Sequence, residues 1–139
     1  MKQSAIIFIT VLITINCQST NNSKSLPNHL SVVEKQITAY NSRNIDNFLD
    51  CYSEDIIIED ANGNIIASCH DQIRGMYQQL FSKSPDLHAQ IEARFAVGNY
   101  VFDKENVSGF IMKSFPVEFK CGIVYRVKNN KIEYVQMIM

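Results

Sequence analysis

The chain has 139 residues, 46% apolar and 19% charged, a mixture that fits one soluble globular domain and excludes disordered, collagen-like and coiled-coil chains. Thirteen Lys+Arg against 14 Asp+Glu leave a net charge of -1 with no basic cluster. Nucleic acid, which needs a localised positive field, is therefore not an expected partner.

Lys2 precedes an uncharged, apolar run from Ala5 to Ile15. Its length suits the central region of an export signal and falls short of the ~20 residues a membrane span requires. Residues 1–16 are read as that signal, directing the chain to the periplasm or, through a lipid on Cys17, to a bacterial membrane. Thr14-Ile15-Asn16-Cys17 half resembles a lipoprotein signal, departing from it at Asn16, where a small residue belongs. An ordinary cleaved signal or a retained tail are the alternatives. Residues 17–28 are polar, lack an apolar period and read as a tether, leaving 29–139 as the domain.

Ser31 and Glu34 form a capping box ahead of Val33, Ile37 and Tyr40, which predicts a first helix over Ser31–Ser42. Asn44 is a suitable cap for a second, with Ile45, Phe48, Leu49 and Tyr52 on one stripe, ending near Ser53. Asp55–Asp60 is short and β-branched, and Asn62-Gly63 supplies a hairpin turn into Ile65–Ala67. A third helix opens near Ser68, carries Ile73, Met76, Tyr77, Leu80 and Phe81 on one face, and ends at Ser84-Pro85-Asp86. Strands are expected over His88–Val97, Tyr100–Phe110, Val117–Val127 and Lys131–Met139, bent near Gly122. The fold class is α+β: three helices covered by a curved antiparallel sheet that forms a cone with an apolar interior.

Alternation along Val117–Val127 turns Phe119, Cys121, Ile123 and Tyr125 inward. On the last strand Val135, Met137 and Met139 compete with Ile132, Tyr134, Gln136 and Ile138 for the inner side. Arg94 and Glu92 should share one exposed strand face. Cys51, Cys69 and Cys121 are read as three small buried side chains, with one disulfide plus a thiol as the alternative. His29, His70 and His88 have no co-ligand at metal spacing, so neither a metal nor a cofactor is expected.

Ala39-Tyr40-Asn41, Ile45-Asp46-Asn47-Phe48-Leu49, Tyr52-Ser53-Glu54-Asp55, Ile58-Glu59-Asp60 and Ile73-Arg74-Gly75-Met76-Tyr77 together resemble the nuclear transport factor 2-like superfamily. Within it they are similar to the SnoaL-like and ketosteroid-isomerase-like members. Ser84–Ala89 and Gly98–Asp103 continue the resemblance, which runs from Val32 to Met139. It implies a cone-shaped pocket and a homodimer formed through the outer sheet face. For activity it implies an Asp base with a Tyr and a protonated Asp as donors to an enolate oxygen. Asp60 falls on the base, whereas Gln36 and Ile123 stand where the two donors belong. Two missing donors leave little enolate chemistry, since each is worth ~10²–10³ in rate. Tyr40 and Tyr125 are possible substitutes.

Two functions are therefore expected to compete. One is a module that binds a small apolar molecule among Gln36, Tyr40, Tyr77, Phe119, Cys121, Ile123, Tyr125 and Met137. The other is a steroid isomerase-like enzyme in which Asp60 moves a proton on a hydrophobic carbonyl compound.

Overall fold

A computed structural model describes residues 28–139 of the chain; the expected signal, Cys17 and nearly all of the tether lie outside them. Helices α1 (Asn28–Asn41) and α2 (Ile45–Asp50) lead into strands β1 (Tyr52–Asp60) and β2 (Ile65–Ala67). Helix α3 (His70–Lys83) follows, and then β3 (His88–Val97), β4 (Tyr100–Ser108), β5 (Phe119–Lys128) and β6 (Lys131–Ile138).

The six strands form one curved, unclosed sheet in the order β2-β1-β6-β5-β4-β3. The fold is α+β as expected, but the sheet is mixed rather than wholly antiparallel, because β1 runs parallel to β6. Two strands standing between α2 and α3 in sequence thus join the same sheet as the four C-terminal ones. Local periodicity carries no information about which strands pair across that distance.

Helix α1 begins three residues before the expected cap. It buries Val32, Val33, Gln36, Ile37 and Ala39 along one side. Arg43, at φ 55°, terminates it, with its backbone N–H on the Tyr40 carbonyl. Asn44 caps α2 through its side chain, which accepts from the Asn47 N–H at 3.0 Å. That helix stops at Asp50, and Tyr52 opens β1 instead of closing the helical stripe. The Ile132 N–H on the Cys51 carbonyl, 2.8 Å, draws this point into the sheet.

Two irregularities decide which side chains face the helices. Strand β6 pairs Tyr134 with Arg126 and then Ile132 with Val127, so Glu133 is an extra residue in the ladder. This bulge lets Ile132 and Val135, of opposite parity, both lie buried at 0% and 5% exposure, and settles the competition on that strand. On β3 the ladder skips Glu92 between Ile91 and Ala93. Glu92 stays outside, bound by Lys104 and Lys120, while Arg94 turns in. The expected exposed pair of Glu92 and Arg94 is thereby corrected. Gly122, expected at the bend, keeps a regular register with its neighbours.

The core is centred on Phe48, fully buried, whose ring lies 4.5 Å from Tyr77 and 5.1 Å from Tyr52, centroid to centroid. Cys51 and Cys121 are buried and Cys69 only half so; all three are free thiols, which removes the disulfide alternative among them. The α1 end is tied to the sheet by Asn41. Its amide gives a hydrogen bond to the Ala89 carbonyl and takes one from the Ala89 N–H, completing the edge of β3.

Candidate functional site

The concave side of the sheet and the helices enclose a cavity of about 250 Å³. Gln36, Ile37 and Tyr40 of α1 line it together with Tyr52 of β1 and Met76, Tyr77 and Leu80 of α3. The sheet contributes Glu105 and Val107 of β4, Phe119, Cys121, Ile123 and Tyr125 of β5, and Val135 and Met137 of β6. Ile66, Met112, Phe115 and Met139, all lining residues, are 39–60% exposed and mark where it opens to solvent. All eight residues expected on the pocket wall are found there, because strand alternation and the i, i+4 spacing of Gln36 and Tyr40 on α1 fix their direction.

Asp60 is not among the residues that line this cavity. It ends β1 and holds the turn that follows. One carboxylate oxygen accepts from the backbone N–H groups of Asn62 and Asn64 at 2.8 and 2.9 Å, and the other from the Asn64 amide at 2.8 Å. The Asn64 side chain and those N–H groups hold its pKa below the ordinary carboxylate value. A general base needs the opposite shift and a place against the substrate, so the catalytic role expected for Asp60 is corrected to a turn role. Its neighbour Glu59 accepts from the Tyr134 hydroxyl at 2.8 Å.

The carboxyl that does face the cavity is Glu105, which the motif-based reading passed over. Val101, Asp103, Glu105 and Val107 are the buried positions of β4, and Phe102, Lys104 and Asn106 alternate with them. Two acids of the same parity as two buried valines were the available signal. Asp103 is satisfied by a bidentate pair with Arg94, both contacts at 2.6 Å, and Arg94 reaches on to Glu34 of α1. Glu105, 5% exposed, accepts only the Tyr125 hydroxyl, at 3.2 Å, among the described residues. Desolvation first, then repulsion by Asp103, pushes its pKa up to about 7, against the lowering effects of Tyr125 and Arg94. Burial first, and then the neighbouring Glu105 charge, raises the Cys121 thiol to about 12 and lifts Tyr77 well above its ordinary value; Tyr40 is lifted by burial, then by Tyr77 and Glu105.

Gln36 gives its amide N–H to the Tyr52 hydroxyl at 3.0 Å, and its oxygen has no partner although the residue is 5% exposed. Among the described residues, no hydrogen bond acts on the Tyr40 or Tyr77 hydroxyl. The cavity is thus apolar with a few convergent polar groups, Gln36, Tyr40, Tyr77 and Glu105, the composition of a small-molecule site. No group of three or more His, Cys, Asp or Glu among the described residues could hold a metal.

The Glu105 shift makes stability depend on pH. The folded-state pKa lies above the unfolded value near 4.5, so between pH 4.5 and 7 the folded chain keeps a proton the unfolded chain has released. Stability then falls as pH rises through that window, by about 3 kcal/mol at most. Urea unfolding at pH 5 and pH 8 is expected to show Glu105→Gln gaining on the unsubstituted chain by roughly that amount at the higher pH. Equal differences at the two values would contradict the assignment.

This layout, a curved sheet closed by three helices over an apolar cavity, defines the nuclear transport factor 2-like class. The chain belongs to the SnoaL-like domain family, which matches residues 33–135. No curated protein matches it. Among solved structures it is similar to an uncharacterised cystatin-fold protein from Novosphingobium aromaticivorans, at 24% identity and a TM-score of 0.73, covering 80% of this chain and 97% of that one. It is also similar to an LEH-like epoxide hydrolase from M. tuberculosis, at 14% identity and a TM-score of 0.68, with 79% and 80% covered. A polyketide cyclase-like protein from Sinorhizobium meliloti is a third, at 15%, 0.65, and 77% and 93%. These identities support a shared fold and leave chemistry to the site itself.

Proposed function

We propose that this domain binds a small, largely apolar molecule in the cavity, and that it does so as an exported protein carried out by the apolar segment Ala5–Ile15. The observation that carries the binding reading is the open cavity of about 250 Å³ with mostly apolar walls. A chain of this size with no ligand to admit would fill such a space, since empty volume in a core costs free energy in proportion to its size. An isomerase reading through Asp60 finds no support, because that carboxylate is engaged in the turn.

Titration calorimetry with 4-phenylbutan-1-ol tests the reading. An apolar probe of this size should gain roughly 5–6 kcal/mol, a Kd on the order of 0.1 mM. Cys121→Phe, which fills the cavity from β5, is expected to weaken binding at least tenfold, and Asp60→Asn to leave it within twofold. Absence of binding to the unsubstituted chain would overturn the proposal, and loss of binding on Asp60→Asn would return that carboxylate to the site.

A further inference from the structure

We propose that the occupant of the cavity is an organic cation, an apolar amine whose ammonium group pairs with the Glu105 carboxylate while its hydrocarbon body lies against the aromatic walls. The inference rests on the binding reading above and names the class of molecule.

A carboxylate removed from water needs a cation, and Glu105 has none of its own. The ion pairs of the described residues do not include it. Around it stand Asp103 on its own strand, Arg94 on β3, and Cys121 and Tyr125 on β5. From the opposite side come Tyr40 on α1, Tyr52 on β1 and Tyr77 on α3. The single base in this set, Arg94, is already shared between Asp103 and Glu34. Two inward carboxyls against one committed guanidinium leave the interior short of one positive charge.

Gln36 is an independent indication. It lies on the same cavity, is more than nine-tenths buried, and has one end of its amide unused. Buried polar groups are almost always paired, so an orphan on a cavity wall points to a polar group on the occupant. The tyrosine and phenylalanine rings supply the third part. Aromatic faces attract ammonium groups, most strongly where water is excluded. An apolar carboxylate, by contrast, would meet Glu105 and Asp103 with like charge.

Three probes of one shape separate the possibilities when titrated into the full chain at pH 8: 4-phenylbutylamine, 4-phenylbutan-1-ol and 4-phenylbutanoate. The amine is expected to bind about tenfold tighter than the alcohol, with the carboxylate weakest. Its Kd should rise by about tenfold in all as pH falls from 8 to 5, levelling off near that of the alcohol, because Glu105 is then protonated, while that of the alcohol holds steady. Glu105→Gln should bring the amine to the affinity of the alcohol. Should that variant not fold, the pH series on the unsubstituted chain decides. An alcohol that binds as tightly as the amine would overturn the cation and leave the binding reading standing. An amine preference that survives Glu105→Gln or ignores pH would also overturn it, and failure of all three probes would remove both readings.

Discussion

Replacing Gly109 with alanine is expected to destabilise the fold by about 3 kcal/mol or more. Gly109 closes β4 at φ +66°, and a Cβ there would lie 2.2 Å from the Asp86 carbonyl oxygen and 2.9 Å from the Leu87 nitrogen. Those are backbone atoms, so no side-chain rotation relieves the clash. The segment beyond is anchored from both sides, by the Phe110 N–H on the Val117 carbonyl and the Ile111 N–H on the Ser84 hydroxyl. Phe110 also lines the cavity, so the displaced backbone should disturb ligand affinity as well as stability. Gly98→Ala is the comparison: φ is +59° but nothing lies within 4 Å, and only about 1 kcal/mol of backbone strain is expected. Urea unfolding of the two variants reads the difference directly, and equal losses would show that the clash relaxes.

Arg94→Met should be of similar severity for an electrostatic reason. The Asp103 carboxylate has no solvent exposure, and Arg94 supplies its two 2.6 Å contacts. Removing the guanidinium strands a charge in the interior, worth about 3–5 kcal/mol, and also cuts the link from the sheet to Glu34 on α1. Urea unfolding of the variant and the unsubstituted chain measures the loss. The double variant Arg94→Met, Asp103→Leu should recover most of the stability, because apolar side chains of similar volume replace a buried pair at little cost. A double variant as weak as the single one would show that Arg94 contributes by packing instead.

Both residues bear on the proposed site. Arg94 pairs with Asp103, and its own positive charge limits how far the Glu105 proton is held. With Arg94 gone, two adjacent inward carboxyls would share one interior without a base, and Glu105 should hold its proton to higher pH. The pair is therefore a setting for Glu105 as well as a structural tie.

Much of the site was legible because it follows from alternation alone. Phe119, Cys121, Ile123 and Tyr125 are two residues apart on one strand, and such side chains must share a face. Gln36 and Tyr40 stand four apart on α1, and Tyr77 lies on the apolar stripe of α3. Asp60 was misplaced because a motif position says where the backbone runs, not what the carboxylate meets. Here Asn62 and Asn64 offer it three donors within the turn. Glu105 was legible in principle, through its parity with Val101 and Val107, yet no motif marked it.

Sequence by itself determined the α+β class, the three helices, the strands and the inward set on β5, since these depend on periodicity and turn chemistry within a few residues. Only the tertiary structure decided the parallel pairing of β1 with β6, the bulges at Glu92 and Glu133 that reassign faces, and the burial of Glu105 beside a base already taken. Those outcomes depend on which distant strands meet and in what register, and the desolvation of a charge is a property of everything packed around it.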